Sequence, residues 1–185
     1  MRLEVHLHGY IELCEGVSRR QVETALRPLF AYLDVENMGE VLSLEEDQPG
    51  IVYNPREFTL EICCTLEIGN SFFAALESAM NGIGQLAEQG TAVEVILYHP
   101  DGRDEMQLVF IGPTADAIYD AQRRRMIEDV SGLLRRQFGE SATNEVVALV
   151  NDLFWRERHA QPLAAEVEDH PSLQVPGSTG RRRLH

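Results

Sequence analysis

Two stretches of this chain alternate so cleanly that they leave little freedom in how it folds. In the first, Leu3, Val5, Leu7, Ile11 and Leu13 share one parity and Glu4, His6, His8, Tyr10 and Glu12 the other. In the second, Phe58, Leu60, Ile62, Cys64, Leu66 and Ile68 alternate with Thr59, Glu61, Cys63, Thr65 and Glu67. Period two puts one set on each face of a strand, so both segments are half-buried strands with one apolar and one polar side. A sheet with a single apolar face must be covered there by another layer.

The segments between supply that layer. Ser18 followed by Gln21 is a capping box, with Val17 and Val22 placed as its hydrophobic staple. Val22, Ala25, Leu26, Leu29, Phe30 and Leu33 then keep helical period. Pro28 inside this run is expected to kink the helix or end its regular part. Asn70 or Ser71 caps a second helix carrying Phe72, Phe73, Leu76, Met80, Ile83 and Ala87, closed by Gly90.

Residues 38–68 read as a β-hairpin whose first arm is ambiguous. Val41, Leu42 and Leu44 suit a strand or a short helix, and Ile51, Val52 and Tyr53 look extended after the Gln48-Pro49-Gly50 turn. Residues 92–99 and 105–111 are two more strands joined by Pro100-Asp101-Gly102-Arg103. Thr114 caps a long helix to about Phe138, and Ser141 or Thr143 opens a last helix to about His159.

The order is β-α-β-β-α-β-β-α-α. That predicts an α+β fold, a ferredoxin-like βαββαβ core with an extra β-strand and two C-terminal helices. The first and third strands are then central neighbours under two helices. Residues 1–159 are expected to form a single domain, and 160–185, polar and rich in proline and glycine, a disordered tail.

Charge narrows the partners. The net charge is −14, and all sixteen basic residues are arginine. Nucleic acid and anionic membrane surfaces are held largely through Lys and Arg, so neither is an expected ligand. Without lysine there is no Schiff-base or P-loop chemistry. Three cysteines, Cys14, Cys63 and Cys64, do not make a disulfide framework. Adjacent residues of a strand face opposite ways, so Cys63 and Cys64 do not pair with each other. With no apolar leader among Arg2, Glu4, His6 and His8 and no membrane-length run, the expected location is cytoplasmic.

Two constellations could carry chemistry. His6, His8 and Tyr10 leave the same face of the first strand, and Glu61, Cys63 and Thr65 leave that face of the third. Imidazole, thiolate and carboxylate together suit a metal, a small ligand or acid–base work. The simpler reading is a polar sheet face. Separately, Arg19 and Arg20 open the first helix, where the dipole favours acids; with Gly16 and the free amides they suit an anion. Against that, Glu12, Glu15 and Glu23 can neutralise them.

Arg123, Arg124 and Arg125 are interleaved with acids and read as a salt-bridged face. Gly82-Ile83-Gly84 lies late in a helix and is not a dinucleotide loop. No hydrolase, zinc or redox motif occurs, and no cofactor is called for.

The favoured expectation is a small acidic non-enzymatic binding or regulatory module acting through protein–protein contact or self-association, as a homodimer. Its alternative is a metal- or small-ligand-binding enzyme built on the His/Cys/Glu cluster.

Overall fold

The computed structural model describes residues 3–160. The chain is mixed α+β, with one five-stranded antiparallel sheet and four helices. The strands are β1 (Leu3–Glu12), β2 (Gly50–Asn54), β3 (Thr59–Ile68), β4 (Thr91–Tyr98) and β5 (Asp104–Ile111). Their order across the sheet is β2-β3-β1-β4-β5. The helices are α1 (Arg19–Leu33), α2 (Phe72–Gly84), α3 (Ala115–Leu134) and α4 (Glu140–Ala160). Beyond Ala160, the stretch expected to be a tail lies outside the described residues.

The two alternating segments pair along their full length, from Leu3 opposite Ile68 to Glu12 opposite Thr59. That register keeps every apolar residue on one face. Val5, Leu7 and Ile11 lie beside Leu60, Ile62, Cys64 and Leu66, all buried under α1 and α2. Val93, Val95 and Leu97 extend this surface onto β4. The helices themselves meet closely, because a side chain at Gly82 would touch the backbone of Ala25 at 3.2 Å. Helix packing thus explains the glycine that makes no nucleotide loop.

Several local expectations shift. Pro28 does not end α1, which runs on to Leu33. Val22, Leu26, Leu29 and Phe30 are buried on both sides of the proline, and this burial holds the helix past its missing N–H. The ambiguous arm after residue 38 is a short 3₁₀ turn, Met38–Glu40, and then a loop, with β2 beginning at Gly50. Ser71 stands at the start of α2 without a side-chain cap, since its backbone is left-handed (φ 71) rather than extended. Helix α3 stops at Leu134, short of Gly139, and α4 already starts at Glu140. Ser18 and Thr114 do cap as read: Ser18 closes its box with Gln21, and Thr114 Oγ1 accepts from the Ala117 amide.

The second sheet face is covered only in part. Helix α3 folds back from β5 and lies against β4 and β5. It is seated by Ala121, its one buried residue, and by Gly90, which leaves the Ala117 carbonyl room to approach. Helix α4 runs antiparallel on α3. Tyr119 donates to the Phe154 carbonyl and stacks edge-on to its ring, and Arg123 donates to Asn151 at 2.8 Å. Among the described residues no helix lies over the β2–β3–β1 half of this face; His8, Tyr10 and Val52 are exposed there.

Candidate functional site

The antiparallel register places His6, His8, Tyr10, Glu61 and Cys63 on this one face. His6 stands opposite Thr65, His8 opposite Cys63 and Tyr10 opposite Glu61. On the other side β4 brings Ile96 beside His6 and Glu94 beside His8. The imidazoles are stacked with centroids 6.4 Å apart.

The loop before β2 anchors His6. Thr65 Oγ1 donates to Gln48 Oε1 at 3.0 Å, and Ser43 Oγ donates to the same oxygen at 2.6 Å. The Thr65 amide in turn donates to Ser43 Oγ at 2.8 Å. With its hydroxyl proton given to Gln48, Thr65 accepts from His6 Nδ1 at 3.1 Å. Neutral His6 therefore keeps its lone pair on Nε2. Its pKa lies below the ordinary 6.5, first from burial and then from the neighbouring His8, opposed by Glu94.

This shift has a consequence for stability. The unfolded chain takes up a proton near pH 6.5, whereas folded His6 resists it until lower pH. Acidification through 6.5 thus draws the chain toward the unfolded state, and the His6 contribution to stability rises with pH across that window. Urea midpoints between about pH 5.5 and about 7.5 are expected to climb less steeply in His6→Gln than in wild type. Equal slopes would contradict the assignment.

The thiol is less reactive than its surroundings suggest. Burial, then the charges of Glu61 and Asp47, raises the Cys63 pKa. The group is therefore a thiol near neutral pH, a poor nucleophile and a poor ligand. Burial pushes Cys64, on the core side, up to about 12. Under native conditions exposed Cys14 is expected to be alkylated on the order of tenfold or more faster than Cys63, with Cys64 silent until unfolding. Peptide mapping after timed alkylation checks the order; a Cys64 that reacts alongside Cys14 would contradict the burial.

Two groups missed in the sequence complete the face. Arg125 Nη1 of α3 donates to Glu94 Oε1 at 2.9 Å, and Glu94 Oε2 lies 4.0 Å from His8 Nδ1. The Glu94 hydrogen bond leads the causes that hold the Arg125 pKa above its ordinary value. Glu94 is legible as a polar position of an alternating strand, but its partner is 31 residues away. Among the described residues, no three His, Cys, Asp or Glu side chains converge on a point that could hold a metal ion.

The two arginines at the α1 cap part company. Arg19 pairs with Glu23 at 2.8 Å, the i,i+4 contact that its spacing offers. Arg20 lines a groove of about 610 Å³ with Thr24, Arg27, Phe30 and Val35. The groove lies along α1, not at its cap, and Glu23 and Glu36 also border it. The arginines of α3 form the interleaved face that their neighbours implied, with Arg123 at 3.5 Å from Asp120 and Arg125 at 3.2 Å from Asp129.

One family, described as a family of unknown function, matches residues 3–155, from the start of β1 into the last turns of α4. The chain belongs to DUF6806. No curated protein and no solved structure matches it. The DUF6806 match takes in α3 and most of α4, so the two C-terminal helices are part of the family's unit rather than an appendage to it.

Proposed function

We propose that this member of DUF6806 is a non-enzymatic binding module that works by associating with copies of itself. The observation that carries the reading is the poor burial of the α3–α4 hairpin. Ala121 is the buried residue of α3 and Thr143 that of α4, while Met126, Leu133, Leu149, Leu153 and Trp155 remain largely in water. An amphipathic helix pair gains most of its stability from burying its apolar faces. Among the described residues much of that surface has no partner.

Dissociation coupled to unfolding makes stability depend on concentration. A hundredfold rise in protein concentration is expected to raise Tm by about 3–6 °C. A Tm that does not move would contradict self-association.

The core is read as ferredoxin-like. The β2-β3-β1-β4 order and the two helices on one face support that plan, with β5 added at the β4 edge. The partner is protein rather than nucleic acid or membrane. Support comes from the −14 net charge and from the described helices, none of which is long and apolar enough to cross a bilayer. A cytoplasmic setting fits three unpaired cysteines.

The second reading is a small-ligand enzyme on the open sheet face. It is favoured by the free Nε2 of His6 beside exposed His8 and Tyr10, and weakened by a protonated Cys63. Binding of any small ligand there is expected to perturb the His6 and His8 ring resonances in an NMR titration, and a ligand screen that moves neither removes this reading.

A further inference from the structure

Helical periodicity divides α4 into two apolar stripes. Thr143, Val147, Val150 and Phe154 face α3 and are buried or half-buried. Val146, Leu149 and Leu153 follow one another at i, i+3 and i+7, so they form a second stripe about a quarter-turn away. These three are 37%, 55% and 50% exposed. On α3, Met126 and Leu133 are likewise seven apart and lie to one side of the positions that touch α4. In an antiparallel pair, equal angular offsets of this sense fall on the same side. The five residues therefore line one side of the hairpin as an apolar wall.

We infer that this wall is the contact surface, and that its occupant is the same wall of a second copy, packed about a two-fold axis into a four-helix interface. The inference rests on the self-association reading and specifies its geometry. Charge favours this occupant. Residues 1–114 hold nineteen acidic side chains against six arginines, whereas residues 115–159 hold eight against seven. The hairpin is thus a near-neutral part of a strongly acidic chain, where two like copies meet without repulsion. Its border is neutralised from within, by Arg125 with Asp129 and by Arg156 with Asp152. A basic partner would be drawn to the sheet domain instead. The open sheet face of a second copy is a poor match, because His, Thr and Glu would be buried against aliphatic side chains without partners.

Area agrees. At about 180 Å² for a fully exposed residue of this size, the five leave roughly 450 Å² of apolar surface, against about 800 Å² per partner in a standard interface. That is the apolar share of an ordinary interface once a polar rim is added. A single stripe running along an antiparallel hairpin also suits the self-complementary patch that two-fold pairing requires.

The test is light scattering on size-exclusion peaks of the full chain. Wild type is expected at twice the chain mass. Leu149→Glu with Leu153→Glu is expected at the single-chain mass, with unchanged helical circular dichroism and a dissociation constant raised at least about 100-fold. Met126→Glu with Leu133→Glu, on the other helix, is expected to do the same. Trp155→Glu, which faces away from the wall, is expected to stay paired. A wild type that is paired while both double variants also stay paired overturns this geometry and leaves self-association standing. A monomeric wild type overturns both.

Discussion

Gly90→Ala is expected to lift α3 from the sheet and lower Tm by about 6–12 °C, a loss of about 3 kcal/mol. A Cβ built at Gly90 lies 1.9 Å from the Ala117 carbonyl oxygen, 2.5 Å from its carbon and 3.1 Å from Ala121 Cβ. The first two are backbone atoms, so no change of rotamer relieves them. Either α3 moves out or the start of β4 moves in. The second route is tight, because Gly112 stands so close behind that a Cβ added to it would lie 3.0 Å from the Gly90 Cα. Moving α3 also breaks the 2.6 Å hydrogen bond from Arg124 Nη2 to the Gly90 carbonyl and withdraws Arg125 from Glu94. The damage should therefore be directional. Amides of α3 and α4 are expected to lose protection from hydrogen exchange while those of β1 and β3 keep theirs. A Tm within about 2 °C of wild type would show that this close approach does not seat the helix.

Phe72→Ala is expected to cost about 3–5 kcal/mol, read as a lower urea midpoint at unchanged slope. Phe72 is fully buried at the first position of α2. It meets Tyr32 of α1 and its neighbour Phe73 edge-on, at centroid distances of 5.5 Å and 5.4 Å. The Tyr32 hydroxyl in turn accepts from the Gly69 amide at 2.7 Å, where β3 gives way to α2. Ser71 offers no side-chain cap, so this aromatic packing fixes the entry of α2. Its removal leaves a cavity where two helices and the sheet end meet. Phe73→Ala, at a position 45% exposed, is expected to cost far less. Equal losses at the two positions would contradict this account of the core.

These contrasts bear on what could be read from the sequence. The shared apolar face of β1 and β3 was legible because strand alternation is local and a one-residue slip would turn every apolar side chain to the polar side. The Ser18 box, the Thr114 cap and the hairpin at Asp101-Gly102, where Gly102 has φ +78, were legible for the same reason: each is written in neighbouring residues. The effect of Pro28 on α1 was not, because burial of Leu29 and Phe30 carries the helix past it to Leu33. Nor was the placement of α3. Three glycines, Gly84, Gly90 and Gly112, come together where α3 leaves the sheet, but they are distant in sequence and carry no shared pattern.

The candidate site divides in the same way. His6, His8, Tyr10, Glu61 and Cys63 share a face because strand parity says so. The chemistry of that face comes from non-local groups. Gln48 and Ser43 fix the proton of Thr65 and so the tautomer of His6, and Arg125 crosses from α3 to Glu94. The reluctance of Cys63 to ionise comes from burial, then from Glu61 two residues away on the same strand face, and last from Asp47, which the fold brings near. At the α1 cap, Arg19 met the glutamate that its spacing offered, and Arg20 turned into a groove that only the folded helix creates.

Self-association through the α3–α4 hairpin is tested most directly by sedimentation velocity of the wild-type chain from about 1 µM to about 100 µM. The expected result is a species of twice the chain mass that dominates at the upper end and dissociates on dilution or in Leu149→Glu with Leu153→Glu. A single-chain species at every concentration, with the wall of Met126, Leu133, Val146, Leu149 and Leu153 open to water, would contradict the account.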